Sequence, residues 1–159
     1  MYEEIRELAH KYGGRVVEWR RRIHRQPELS RQEERTSALA AEVLSGLGLE
    51  VRSRVGGHGV VGLLRGGGGD GRTVALRADM DALPMREETG LPYASEVDGV
   101  MHACGHDTHT AMLLGAACVL SELRDGLRGN VKFIFQPAEE LNPDRKSTRL
   151  NSSHSTESR

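Results

Sequence analysis

Aromatic residues are scarce in this 159-residue chain: two Phe, three Tyr and one Trp, 4% of the total. With a hydrophobic fraction of 37%, that is a lean supply for a self-sufficient core, because large apolar side chains provide most of the area a core removes from water. Long apolar runs are missing as well. The longest near-apolar stretch, residues 111–120, is far short of the roughly 20 residues a bilayer span requires. The opening residues mix acidic and basic side chains and lack the basic start and apolar run of a secretory signal, so a cytoplasmic protein without a membrane partner is expected. Neither sign of charge dominates, the formal net charge being -1, and this gives no electrostatic case for nucleic acid. Cysteine is limited to Cys104 and Cys118, too few for a disulfide scaffold. Cys118 lies in an apolar stretch and is expected in the core; Cys104 lies between histidines.

What is present reads as mixed helices and strands. The spacing of Ile5, Leu8, Val16, Trp19 and Ile23 predicts a helix over 2–25, with Gly13-Gly14 as a candidate interruption and Pro27 as its stop. Ser30 and Glu33 form an S-x-x-E pattern that predicts a capping box, followed by a helix with Leu39, Val43 and Leu47 on one face. From Leu49 the period shortens. Two short strands are expected on either side of Gly56, Gly57 and Gly59, and a third over 73–77 beyond the glycine run at 66–69. A glycine run can cradle phosphate, but that needs a following helix N-terminus, and here a strand follows. Residues 85–101 read as an irregular loop. A helix is expected over 107–123, with Asp107 as its cap and Met112, Ala116, Val119, Leu120 and Leu123 inward. A last buried strand is expected over 130–135. This order implies an α/β fold, a mixed sheet covered by helices.

Three segments carry chemistry. In MHACGHDTH, one cysteine stands among three imidazoles, and sulfur with nitrogen suits zinc-like metals. If the segment is extended, His102, Cys104 and His106 share a face; if it is helical, His106 and His109 do. Asp107 is open to three roles: ligand, supporting partner of a histidine, or helix cap. In FIFQPAEE, a buried strand delivers Glu139 and Glu140 to its end, where α/β sheets usually build their sites. In RADMDALP, Asp79 and Asp81 leave another strand end, either supporting a ligand histidine or forming an Asx-type turn before Pro84.

Taken in order, LRADMDALP, MHACGHDTHTAMLLGAA and IFQPAEE resemble the signature segments of the zinc-peptidase-like amidohydrolases, the group that includes hippurate hydrolase, indoleacetyl-amino-acid hydrolase and N-acyl-amino-acid deacylases. RRIHRQPELSRQEERTSALAAEVLSGLG is similar too, and the resemblance covers about 16–140. It implies a partial metallopeptidase-type catalytic domain over 1–143. Within it, Cys104, His106 and Glu140 are implied metal ligands and Glu139 the general base, with Asp79, Asp81, Asp107 and His109 in supporting positions. It further implies two divalent ions (manganese, zinc or cobalt), a small N-acyl amino acid substrate cleaved at its amide, and a dimer formed through a later domain. The segment after Glu140, Leu141-Asn142-Pro143, departs from the glycines usual in the family. Two rivals remain on the residues alone: a hydrolase with Cys104 as nucleophile, and a non-catalytic module with a structural zinc. Finally, DRKSTRLNSSH at 144–154 resembles one reading frame of a common sequencing-adapter oligonucleotide. On that reading the natural sequence stops near Pro143 and 144–159 is a disordered tail.

Overall fold

The computed structural model describes residues 2–141; the adapter-like segment lies outside them. Helix α1 (Tyr2–Arg25) is followed by α2 (Glu34–Gly46), the hairpin β1 (Glu50–Val55) and β2 (Gly59–Arg65), then β3 (Thr73–Asp79), α3 (His106–Glu122), a 3-10 turn at Arg124–Gly126, and β4 (Asn130–Gln136). The sheet order is β1-β2-β4-β3. β1 with β2 and β2 with β4 are antiparallel, whereas β3 and β4 run parallel and are joined by α3, as a parallel pair requires a long crossover. The fold is therefore α/β with a mixed sheet, as expected.

Alternation along the strands sends Val60, Leu64, Ala78, Phe133 and Phe135 to one face, all buried. On that face they meet Leu39, Ala40 and Leu44 of α2 and Ala111, Leu114, Ala117 and Cys118 of α3. α1 packs on α3 and runs through Gly13-Gly14 unbroken. Two glycines cost a helix about 2 kcal/mol in all, an amount offset by burying Trp19 and Ile23 farther along the same helix.

Two sequence expectations need correction. The inward face of α3 is not the one given by Met112, which is 61% exposed. The segment is apolar on nearly every side, so periodicity could not phase it; the close approach of α1 does, where a Cβ on Gly115 would stand 2.5 Å from Val16 Cγ2. The glycine run is a loop from β2 to β3, as the following strand implies, and it passes over β4, which inserts between them. Its N–H groups are taken by chain carbonyls, Gly66, Gly67 and Gly68 donating to Gly129, Arg124 and Leu127. That leaves no cradle for phosphate there.

The second correction concerns the capping box. Glu33 occupies the N-cap position of α2, with no side-chain cap bond. The first-turn N–H groups of Arg35 and Thr36 are instead accepted by the two carboxylate oxygens of Glu28, each at 2.9 Å. A buried carboxylate at a helix N-terminus answers both the orphan donors and the helix dipole. Glu28→Ala is therefore expected to cost about 1–2 kcal/mol of stability, measurable as a lower urea midpoint. An unchanged midpoint would refute this capping role.

Candidate functional site

The parallel pairing of β3 and β4 sets Asp79 opposite Gln136, so both strands leave the sheet at the same edge. Met80 N–H donates to the Gln136 carbonyl at 3.0 Å and continues the ladder one step. Residues 79–81 and 137–140 thus emerge side by side at the carboxyl ends of parallel strands. The N-terminus of α3 docks onto the same edge, where Thr110 Oγ1 donates to the Asp79 carbonyl at 3.0 Å. Gly105, at φ 92, precedes the helix, a left-handed backbone that glycine adopts without steric cost.

His106 is the centre of the cluster. It is buried, with Nδ1 2.9 Å from the Asp81 carbonyl and 3.2 Å from Asp81 Oδ1. Its Nε2 faces Glu139 Oε2 at 3.8 Å and Glu140 Oε1 at 3.9 Å. Burial works against an imidazolium here, but the Asp81 bonds outweigh it and push His106 up to about 9. Burial likewise opposes charge on Asp81, yet its bonds from His106, Ser30 and the Glu140 N–H hold it down at about 2. Cys104 is exposed. Partial burial and then the bond and charge of Glu140 raise its thiol above the ordinary value.

Cys104, His106 and Glu140 each offer one donor atom, all within 4.8 Å of one another. Thiolate, imidazole and carboxylate together form a donor set suited to a borderline divalent cation. The carboxylates that oppose a bare thiolate leave an electrostatic deficit which such a cation would fill, so the residues fit a metal. A second group, Asp79, His106 and His109, also meets this distance test, but it competes for the same His106, and Asp79 Oδ1 is already engaged by the Arg77 guanidinium at 2.6 and 2.9 Å. His109 is exposed, its ring 5.5 Å from that of His106.

Asp107 does not cap α3, which has no side-chain cap bond. Its Oδ2 faces α1 instead, accepting from Arg20 Nε at 2.7 Å and lying 2.8 Å from His24 Nδ1. His24 Nε2 in turn lies 3.2 Å from Glu87 Oε1. The buried Asp107 carboxylate thus takes a half-buried guanidinium and a buried imidazole in place of the helix N–H groups, because burial strengthens such bonds. His102, read as a possible sharer of the Cys104 face, is buried with neither ring nitrogen hydrogen-bonded among the described residues. Burial pushes it down to about 4, a neutral ring.

Sequence reading missed Arg20, His24, Glu87, Ser30 and Glu33 as neighbours of the site. Their partners lie far along the chain, and in sequence Arg20 and His24 look like members of a solvated basic run. The S-x-x-E pattern was visible but misassigned. Ser30 Oγ donates to Asp81 Oδ2 at 2.6 Å, and Glu33 Oε1 accepts from Ala138 N–H at 2.7 Å.

Comparison with known proteins gives a consistent picture. Residues 75–151 match the model of peptidase family M20/M25/M40. The chain is 51% identical over 141 residues to an N-acyl-L-amino acid amidohydrolase of Geobacillus stearothermophilus, covering 89% of this chain and 38% of that protein. It is likewise 51% identical over 141 residues to thermostable carboxypeptidase 1 of Saccharolobus solfataricus, covering 88% and 36%. Among solved structures, a dinuclear metal binding peptidase from the same family in Bacillus subtilis superposes with a TM-score of 0.77 at 45% identity, over 82% of this chain and 36% of that one. The chain spans little more than a third of the length of these relatives.

Proposed function

We propose that this chain, whose residues 75–151 match the model of peptidase family M20/M25/M40, belongs to that family and forms the amino-terminal part of the catalytic unit of a metal-dependent amidohydrolase. The substrates in view are N-acyl amino acids or related small amides, the class for which the Geobacillus relative is named. The observation that carries this reading is the meeting of Cys104, His106 and Glu140 at one strand edge with Glu139 beside them.

Cys104, His106 and Glu140 would hold one divalent ion, and residues outside this chain would complete a pair of manganese, zinc or cobalt ions. When bound, such ions supply Lewis acidity toward water and the amide carbonyl. Asp81 orients His106: its carbonyl accepts from Nδ1, which turns Nε2 toward Glu139 and Glu140 as the nitrogen that would bind the ion once its proton is displaced. Glu139 is the proton carrier. Its carboxylate takes a proton as the water oxygen bonds to the acyl carbon; when the carbon–nitrogen bond breaks, it returns that proton to the departing amine. A carboxylic acid and an amine result. Dimerisation through a later domain would belong to the longer enzyme.

The geometry speaks against the two rivals. A nucleophilic cysteine needs a depressed thiol pKa, whereas that of Cys104 is raised. Closed structural zinc sites are usually rich in cysteine, whereas the three donors gathered among the described residues include one cysteine, with the free Glu139 carboxylate beside them. Chelation followed by metal readdition separates the readings. In the longer enzyme, a chelator is expected to abolish hydrolysis of N-acyl amino acids, and manganese or zinc to restore it. Turnover that survives chelation but is lost to a thiol reagent would refute the metal reading and favour the cysteine nucleophile.

A further inference from the structure

Glu33 is a fully buried carboxylate without an evident structural duty. It stands at the N-cap of α2, but Glu28 already serves that helix's first-turn N–H groups. Its Oε1 accepts the Ala138 N–H at 2.7 Å. Its Oε2 is buried with no hydrogen-bond partner among the described residues. Burying a carboxylate is costly unless its bonds compensate, so the bond to Ala138 is the feature that needs explaining.

Ala138 is itself unusual, a non-glycine residue at φ 56. Such a left-handed backbone persists only where surrounding contacts over-determine it. Among the described residues, Gln136 Nε2 donates to the Pro137 carbonyl at 2.9 Å, and two carboxylates hold the N–H groups of the turn. Glu33 fastens the N–H of Ala138, and Asp81 Oδ2 fastens the N–H of Glu140 at 2.9 Å. Between these anchors lie Ala138 and Glu139 alone. Both anchors are buried carboxylates, from different elements, and both bonds are charge-assisted and therefore strong. The turn that aims Glu139 is thus clamped at each end.

From this clamp we infer that Glu33 is a positioning residue for the reaction: it holds Ala138 in its left-handed conformation and so aims the Glu139 carboxylate. The inference rests on the reading of Glu139 as the proton carrier. It makes Glu33 part of the active site's support although it lies 105 positions before Ala138 in sequence. Asp81 alone holds the Glu140 side of the turn, so loss of Glu33 misdirects the base without displacing the metal ligands.

The test compares Glu33→Ala and Glu33→Gln in the longer enzyme, with turnover of an N-acyl amino acid and bound metal both measured. Glu33→Ala is expected to lower kcat by about a hundredfold, the usual effect of a misplacement near 1 Å, with KM and metal content unchanged. Glu33→Gln keeps an acceptor oxygen in place and is expected to restore most of that loss. Should Glu33→Ala fail to fold, amide NMR of Glu33→Gln in the 159-residue chain decides. The Ala138 resonance is expected to move as its bond loses charge assistance, while those of Arg35 and Thr36 stay. A folded Glu33→Ala enzyme with wild-type kcat would overturn the inference, as would an unmoved Ala138 resonance. Glu139→Gln, assayed alongside, keeps the two readings apart. If that variant turns over normally, the proton-carrier reading fails; if it is inactive while Glu33→Ala is fully active, the positioning inference alone fails.

Discussion

Glu139→Gln is expected to lower kcat by about 10²–10⁴-fold, the usual contribution of a positioned general acid–base. KM and bound metal should stay near their wild-type values. Glutamine matches glutamate in size, so packing is little disturbed, and Glu139 is 35% exposed in any case. Its neighbour Glu140 still donates its backbone N–H to Asp81 Oδ2, and the cluster of Cys104, His106 and Glu140 is left intact. What the substitution removes is an oxygen able to take a proton from water and return it to the amine. An effect confined to kcat marks an interaction made in the transition state alone. Parallel loss of metal would instead make Glu139 a ligand, and normal hydrolysis would end its assignment as the base.

The parts of this site that could be read from sequence are those whose chemistry is local. The Cys/His cluster before α3 and the Glu139–Glu140 pair after β4 stand out by their chemistry, but spacing leaves open which of them bind. The choice of Cys104, His106 and Glu140 comes from the family resemblance. The strands are legible as short apolar runs bounded by turns. The strand order was not legible: nothing in the residues 66–72 says that β4, which begins only at Asn130, will insert beside β2. The face of α3 was not legible either, because alanine, leucine and glycine surround the helix and its register is fixed by Val16 of another helix. The most instructive failure is the S-x-x-E pattern. Local capping was a sound expectation for Ser30 and Glu33, but two buried partners, Asp81 and the Ala138 N–H, compete for those side chains, and Glu28 takes over the helix end. Burial strengthens each of these bonds relative to a solvent-exposed cap, so tertiary contacts prevail over the local motif.

Asp107 and Asp81 show how similar residues separate into different tasks once the chain is folded. Both are buried carboxylates adjoining His106, one by sequence and one by space. Asp107 turns toward Arg20 and His24 and ties the start of α3 to α1. Asp81 turns toward the cluster and makes bonds to Ser30, the Glu140 N–H and, through its carbonyl, His106. The family resemblance places both in supporting positions, and nothing in the sequence shows that Asp107 faces α1 whereas Asp81 faces the cluster.

Asp81→Ala is accordingly expected to be the most damaging substitution among the supporting residues. It removes the acceptor of the Glu140 N–H and of the Ser30 hydroxyl, and it leaves the buried His106 without its charged neighbour. Breaking a buried pair by deleting one member typically costs about 3–5 kcal/mol, so the metal-free chain should unfold at clearly lower denaturant. Metal affinity should fall by about 10–100-fold, because the group that orients a ligand histidine is lost and Glu140 loses its anchor. The backbone carbonyl of Asp81 survives the substitution and still accepts from His106 Nδ1, so the histidine keeps its tautomer and binding is weakened rather than abolished. Titration of the 159-residue chain with zinc or cobalt, beside its urea melt, reads both effects. Asp81→Asn separates them: it retains an acceptor for the Glu140 N–H and should recover much of the metal affinity while remaining less stable than wild type. If Asp81→Ala bound metal as tightly as the unaltered chain, the orientation of His106 and Glu140 would have to come from elsewhere, and Asp81 would be a structural residue only.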